Sequence, residues 1–211
     1  MEPKEILKNI LPEKVLCHLE AFNRSRLIRE WKKHGEPLPP PHAVKQSVIL
    51  EYKRKFQIEV LVETGTFRGD TIFAQRHSFK RIYSIELDPV LHTAARERLR
   101  KFGHVQLLQG DSGMLISELA RSIHEPCLFW LDGHYSGGET ARGVSETPIM
   151  NELHGIFSTG QSHIVLIDDA RLFIGQNDYP TIDALRNFVF RLRTSYDVSV
   201  KWDIIRLVPK V

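Results

Sequence analysis

Short apolar runs recur along the chain from residue 57 onward, and a stretch with helical spacing separates most of them from the next. Apolar runs without alternation are typical of strands buried on both faces, as in a parallel sheet with helices on either side. The pattern therefore predicts a doubly wound α/β domain that closes with an antiparallel pair. The runs are "IEVLVE", "RIYSIEL", "VQLLQ", "CLFWLD", "HIVLID", "DVSVKW" and "DIIRLVP".

The first 55 residues follow a different pattern. Apolar residues recur at helical spacing between Pro12 and Gly35, and a second helix is expected from about Pro41 to Lys53, after a proline-rich stretch. We expect residues 1–55 to form an N-terminal helical extension and residues 56–211 to form the main domain. Such helices cover either an active site or an oligomer interface, and the sequence does not choose between them.

The distribution of charged residues along the chain limits the binding partners that we expect. The chain of 211 residues carries 29 Lys and Arg against 26 Asp and Glu, a formal net charge of +3. The excess lies in residues 1–55, which hold 12 basic and 7 acidic residues, and the acidic side chains interrupt the basic ones. We therefore expect a solvated helical face and no nucleic-acid partner.

The expected cellular location follows from sequence features that the chain lacks. No apolar run approaches the roughly 20 residues that span a bilayer, and the N-terminus lacks the apolar segment of a signal peptide. Cys17 and Cys127 are the only cysteines, which predicts neither a disulfide framework nor a thiolate metal site. We expect a cytoplasmic protein without a membrane partner.

Polar residues follow the strands at the edge where ligands bind in such sheets. The first run ends in "VETGTFRGDT", in which Glu63 precedes Gly65 and Gly69, and Asp70 and Thr71 open a helix. Glycines let the backbone approach a ligand closely, while a carboxylate and a helix N-terminus receive polar groups. The dinucleotide fingerprint requires a second glycine where this chain has Phe, so pyrophosphate binding is disfavoured.

The next two strand ends are also acidic. Glu86 ends the second run, about 20 residues after the glycine turn, where a carboxylate can accept hydrogen bonds from both ribose hydroxyls. Asp111 and Ser112 follow the third run and are positioned either to contact an adenine or to cap the next helix.

In this order of motifs the chain resembles the class I S-adenosylmethionine-dependent methyltransferases, over roughly residues 57–208. The resemblance implies a Rossmann-like fold with a mostly parallel seven-stranded sheet, and a catalytic domain that binds S-adenosylmethionine. It also implies that the glycine turn holds the amino-acid part of the cofactor, Glu86 the ribose, and Asp111 with Ser112 the adenine. The expected cofactor-binding residues are Glu63, Gly65, Thr66, Gly69, Asp70, Thr71, Glu86, Asp111, Ser112 and Asp132.

Three further carboxylates follow the fourth and fifth runs: Asp132, Asp168 and Asp169. They resemble the divalent-metal triad of metal-dependent O-methyltransferases of the catechol and macrocin types, which implies magnesium as a second cofactor. A metal-bound hydroxyl loses its proton readily and becomes the nucleophile. The alternatives are that these aspartates cap helices or turns, and that Arg171 is their charge partner in a metal-free site.

The stretch "DGHYSGGETARGVSETPIMNEL" contains the expected catalytic residues. His134 is the candidate base, because histidine titrates near neutral pH, and Asp132 and Arg142 complete the set. The stretch resembles one found in several families with this cofactor, but it has His directly after Asp-Gly and a longer glycine-rich loop. It also lacks the lysine that serves as base in the catechol type.

The expected function is magnesium-assisted O-methylation of a small hydroxylated substrate, a sugar or a secondary metabolite. One alternative keeps the cofactor without the metal, as an N- or O-methyltransferase. The other is a non-catalytic nucleoside-binding or partner-binding module, and shared fold alone does not exclude it. If the N-terminal helices form an oligomer interface, the assembly is a homo-oligomer; the sequence leaves the oligomeric state open.

Overall fold

The computed structural model describes residues 13–133 and 147–210. Within these residues the strands form one seven-stranded sheet in the order 3-2-1-4-5-7-6. The seventh strand is antiparallel to the fifth and the sixth, and the other neighbouring pairs are parallel. The strands are β1 (Val60–Thr64), β2 (Arg81–Glu86), β3 (Val105–Gln109), β4 (Cys127–Leu131), β5 (Ile164–Ile167), β6 (Tyr196–Lys201) and β7 (Ile204–Pro209).

This topology confirms the doubly wound, mostly parallel sheet with an antiparallel C-terminal strand. Every residue of β1, β4 and β5 is buried, as expected of apolar runs with helices on both faces. The helices are α1 (Glu13–Lys33), α2 (His42–Phe56), α3 (Asp70–Gln75), α4 (Pro89–Leu99), α5 (Ser112–Ser122), α6 (Ile149–Phe157) and α7 (Ile182–Leu192), with a 3₁₀ turn at Ala170–Leu172.

The core has two layers, because successive side chains of a strand point to opposite faces. Val60 and Val62 of β1 join a cluster with residues of α5, α6 and α7, whereas Leu61 joins a second cluster with residues of α2, α3 and α4. Helix α2 supplies the fully buried Ile49 to this second cluster. One helix of the N-terminal extension is thus packed into the core, while the division into two domains at residues 55 and 56 remains a prediction.

Helix α1 forms as its spacing predicts, but much of its apolar side faces solvent. Val15, Leu19 and Phe22 are exposed by 43%, 51% and 66% of their surface. The helix is attached to the domain near its middle, where the buried Arg76 bonds to both carboxylate oxygens of Glu20 at 3.2 and 3.3 Å. None of the helices in the described part of the chain is long and apolar enough to cross a membrane.

The turn after β1 and the end of β4 lie in close backbone contact. Asp132 donates its N–H to the carbonyl of Thr64 at 3.1 Å, which continues the ladder beyond the strands. Gly65 follows with φ +79°, and a Cβ added there would lie 2.4 Å from the backbone oxygen of Asp132. The turn therefore needs glycine both for its conformation and for the approach of its neighbour.

Replacing Gly65 with Ala is expected to lower the free energy of unfolding more than replacing Gly35 with Ala. Both positions have positive φ, +79° and +83°, but nothing lies within 4 Å of a Cβ added at Gly35. The shared backbone strain costs about 1 kcal/mol, and the overlap at Gly65 adds about 1–3 kcal/mol. Urea denaturation of both variants measures the difference, and equal losses would contradict the close approach.

Candidate active site

Polar residues collect at the carboxyl ends of β1, β2, β4 and β5. Strands β1 and β4 are neighbours at the point where the strand order reverses, which is where open α/β sheets bind ligands. The structure therefore brings the sequence-predicted residues of these strands to one edge.

The glycine turn takes a left-handed conformation at three alternate residues. Gly65, Phe67 and Gly69 have φ values of +79°, +48° and +74°. Phe67 therefore adopts the backbone that a glycine would take there, at a cost of about 1–2 kcal/mol for a residue with a Cβ. The N–H groups of Gly65 and Thr66 both donate to the carbonyl of Ile85, at 3.0 and 3.3 Å, which fixes the turn to the end of β2.

Glu63 lies under this turn in a buried network of hydroxyl groups. The Ser84 hydroxyl donates to its Oε2 at 2.6 Å, and Thr66 Oγ1 lies 2.6 Å from Ser84 Oγ. Burial raises the pKa of Glu63 to about 8, opposed by hydrogen bonds from Ser84 and Thr71 and reinforced by the charge of Glu86. The carboxyl group is therefore largely protonated at neutral pH and joins the strand, the turn and α3.

Glu86 joins the second strand end to the turn. Its Oε2 accepts the N–H of Phe67 at 2.7 Å, and its Oε1 accepts the N–H of Asp88 at 2.9 Å. A carboxylate has about four acceptor positions, so each oxygen can still accept another hydrogen bond. The group is held in a fixed orientation and remains able to receive a diol.

One of the two polar residues that follow β3 caps a helix. Asp111 accepts the N–H of Gly113 at 2.8 Å and caps α5, which is the structural alternative for this residue. Ser112 is buried and donates its hydroxyl to Oε1 of Glu152 at 2.6 Å. Asp70, at the start of α3, is bound by Arg98 at 2.7 Å on the surface.

The two carboxylates that follow β5 meet a lysine from α2. Lys45 Nζ bonds to Oδ2 of Asp168 and lies 3.7 Å from Oδ1 of Asp169. Burial alone would lower the pKa of Lys45, but the charges of Asp168, Asp132 and Asp169 raise it above its usual value. Burial raises the pKa of Asp168, while Lys45 opposes that change.

Asp169 has a second cationic neighbour. Arg171 Nη1 donates to its Oδ1 at 2.7 Å and also bonds to Oδ2 of the buried Asp203. The carboxylates draw the pKa of Arg171 upward against the effect of burial. Arg171 is thus a charge partner of this group, as the metal-free alternative requires.

The arrangement of these oxygens does not fit a divalent metal site as it stands. Asp168 uses Oδ1 to accept the N–H of Asp169 at 2.9 Å, and Lys45 engages its Oδ2. Over residues 13–133 and 147–210, no group of three His, Cys, Asp or Glu side chains is arranged to hold a metal ion. Magnesium bound at Asp168 would lie beside the ammonium group of Lys45, and the two positive charges would repel each other.

The expected base lies outside the described residues. His134 and Arg142 both belong to residues 134–146, so their catalytic roles remain predictions. Next to this segment, Asp168 and Glu152 line a small cleft with Gly133, Phe173 and Tyr179. The buried hydroxyl of Thr64 also lies here, 3.0 Å from a Cβ added at Gly133, and has no hydrogen-bond partner among the described residues.

Sequence reasoning missed two charged residues of this site. Glu152 has a local signal, because it shares a helical face with Ile149, Leu153 and Ile156, all of which are buried. A carboxylate on such a face needs a polar partner. Lys45 has no such signal, since 123 residues separate it from Asp168.

No protein-family model and no curated protein sequence matches the chain. Solved structures do match it over most of its length. The SAH-bound methyltransferase PaMTH1 of Podospora anserina is 19% identical, covers 96% of this chain and 99% of its own, and has a TM-score of 0.57.

Two O-methyltransferases are similar to the chain to the same degree. TomG of Streptomyces achromogenes, involved in tomaymycin synthesis and solved with SAM, is 16% identical, with 89% of each chain covered and a TM-score of 0.58. The Bacillus cereus enzyme in complex with SAH is 10% identical, covers 97% of this chain and 96% of its own, and also scores 0.58. At these identities the likeness shows the fold, which is that of S-adenosylmethionine-dependent methyltransferases.

Replacing Glu63 with Gln is expected to flatten the pH dependence of stability between about pH 4.5 and 8. In this window the folded chain keeps the Glu63 proton and the unfolded chain loses it, so the contribution of Glu63 to stability falls as the pH rises. The slope is roughly 1 kcal/mol per pH unit, and it vanishes above the folded pKa.

Urea denaturation at several pH values measures this slope in the Glu63→Gln variant and the parent. Glu59→Gln is the matched control, because Glu59 is a half-exposed carboxylate just before the start of the same strand, 3.6 Å from Lys53. Parallel stability curves for the parent and Glu63→Gln would contradict a protonated Glu63.

Proposed function

We propose that the chain is an S-adenosylmethionine-dependent methyltransferase that methylates a small hydroxylated molecule, a sugar or a secondary metabolite. The observation that carries the proposal is the pairing of the left-handed glycine turn with the fixed carboxylate of Glu86. The turn exposes backbone close to a ligand, and the carboxylate can receive a diol. Both lie at the edge of a sheet with the methyltransferase topology.

The cofactor contacts follow from the strand ends. The turn containing Gly65, Thr66 and Gly69 binds the amino-acid part, Glu86 binds the ribose, and Ser112 with Asp111 borders the adenine. Glu63 and Thr71 act from beneath the turn, because Glu63 is buried in hydrogen bonds and holds the turn in place. Asp70 and Asp132 border the same space.

When bound, S-adenosylmethionine would supply an electrophilic methyl group on its sulfonium, for transfer to the acceptor oxygen as the carbon–sulfur bond breaks and S-adenosylhomocysteine leaves. In this scheme His134 accepts the proton of the acceptor hydroxyl, and Arg142 and Asp132 orient the acceptor. Asp168 and Glu152 line the adjoining cleft, but both side chains are buried and already hydrogen-bonded within the protein. The hydroxylated acceptor therefore follows from the resemblance to O-methyltransferases and not from this lining.

The resemblance to metal-dependent O-methyltransferases also predicts that magnesium, bound by Asp132, Asp168 and Asp169, assists the reaction. That role requires the ion to take oxygen atoms that Lys45 and Arg171 engage. A metal-independent methyltransferase is the second candidate, and the Lys45–Asp168 pair is the observation that favours it. A cytoplasmic location belongs to the same proposal.

Calorimetric titration with S-adenosylhomocysteine tests the cofactor assignment without knowledge of the acceptor. We expect saturable one-to-one binding, weakened at least about tenfold by Glu86→Ala, because hydrogen bonds to a charged group contribute about 1.5–3 kcal/mol. Asp88→Ala is the matched control, because Asp88 caps α4 through the N–H groups of Val90 and Leu91 and is not expected to touch the cofactor. Thermal melting of each variant checks that it is folded.

Absence of heat and of thermal stabilisation at high ligand concentration would contradict the methyltransferase proposal. It would favour the non-catalytic binding module instead. Equal binding by the Glu86→Ala and Asp88→Ala variants would contradict the ribose role of Glu86 alone.

We further propose that α1 mediates self-association. Its exposed residues Val15, Leu19 and Phe22 recur at intervals of four and three, so they share one helical face. Replacing the most exposed of them, in Phe22→Glu, is expected to shift the mass measured by light scattering toward the monomer. Ala21→Glu is the control, because Ala21 is exposed on the same helix but lies one and two residues from Phe22 and Leu19 and so does not share their face. A parent that is monomeric at high concentration would contradict the proposal.

A further inference from the structure

The carboxylate group at the ends of β4 and β5 has a cation supplied by the N-terminal extension. We propose that Lys45 is the resident cation of Asp168 and Asp169, in the place beside Asp168 where a metal ion would otherwise bind, so that the site works without a metal. The inference deepens the proposed function and rests on it for the view that this group borders the acceptor. Metal binding itself can be measured without cofactor or acceptor.

The first support is the geometry of the ion pair. Lys45 Nζ bonds to Oδ2 of Asp168, whose side chain has no exposed surface, while the lysine side chain is 16% exposed. The same nitrogen lies 3.7 Å from Oδ1 of Asp169. One ammonium group with three donors therefore serves two adjacent carboxylates.

The second support is the way α2 holds this lysine. Val44, Val48 and Ile49 are almost fully buried around it, so the helix is anchored in the core. The side chain of Gln75 in α3 also donates to the carbonyl of Gln46 at 3.1 Å. Lys45 is therefore a fixed feature of the site and not a mobile surface lysine.

The third support is the coordination that magnesium requires. Mg²⁺ needs near-octahedral oxygen ligands at about 2.0–2.1 Å. At Asp168, Oδ1 is engaged by the Asp169 N–H and Oδ2 by the ammonium group. An ion at the remaining acceptor position of Oδ2 would lie beside the ammonium group, and the two positive charges repel each other while Lys45 remains.

Removing the charge of Lys45 should therefore open Asp168 to a divalent ion. Neighbouring side chains must then shift to complete the coordination, because no three described carboxylates are arranged to hold a metal and Arg171 still engages Asp169. Lys45→Met keeps the length and the apolar stem of the side chain and leaves Asp168 without its cation. Lys53→Met is the matched control, because Lys53 lies on the same helix and pairs with Glu59 at 3.6 Å, away from the strand ends. The double variant Lys45→Met with Asp168→Asn removes the expected metal ligand as well.

The measurement is thermal unfolding of the full chain with and without MgCl₂, together with Mn²⁺ titration followed by electron paramagnetic resonance. We expect no saturable binding by the parent or by Lys53→Met. Lys45→Met is expected to bind one ion and to melt roughly 3–6 °C higher when the ion is at tenfold its dissociation constant. The double variant is expected to lose that response.

Two results would overturn the inference. The first is saturable, stabilising Mg²⁺ or Mn²⁺ binding by the parent chain, which needs no variant to fold. The second is a folded Lys45→Met variant that gains no metal binding. Titration of the same samples with S-adenosylhomocysteine separates the two proposals, since failure to bind it would defeat the methyltransferase assignment and leave the metal result standing.

Discussion

The pairing of β1 with β4 determines where everything polar in the site can lie. Both strands are buried along their whole length, so Glu63 within β1 keeps its proton and the charged carboxylates lie beyond the strand ends. The register aligns Thr64 with Leu131, and the ladder continues through the N–H of Asp132. The glycine turn and the carboxylates after β4 are consequently neighbours, and a bulkier residue at Gly65 would separate them.

The negative charge of a buried carboxylate at such an edge must be removed or balanced, and the chain does so in two ways. Glu63 is surrounded by hydroxyl groups and keeps its proton, which removes the charge. Asp168 lies as deeply but has the ammonium group of Lys45, which balances the charge. The first solution suits a group that holds a turn, and the second suits a group that must remain an acceptor.

The sequence predicted what depends on local pattern. The strands and the acidic ends at Glu63 and Glu86 follow from runs of apolar residues and the residue after each, and they lie together as expected. The left-handed backbone of Phe67 was not predictable, because a residue with a Cβ adopts it only when neighbours such as Glu86 hold it there. Lys45 was not predictable either, since 123 residues separate it from its partner.

The position of Lys45 also shows that one helix of the N-terminal extension is an integral part of the fold. A helix that merely covered a finished domain would contribute surface contacts, but α2 contributes Ile49 to the core and Lys45 to the carboxylates. Without the charge of Lys45, Asp168 would remain buried beside Asp169 with no ammonium group, and leaving a buried charge unpaired costs about 3–5 kcal/mol. The strand ends therefore depend on α2 both for packing and for charge, whereas α1 is attached through contacts such as Glu20 with Arg76 and leaves an apolar stripe exposed.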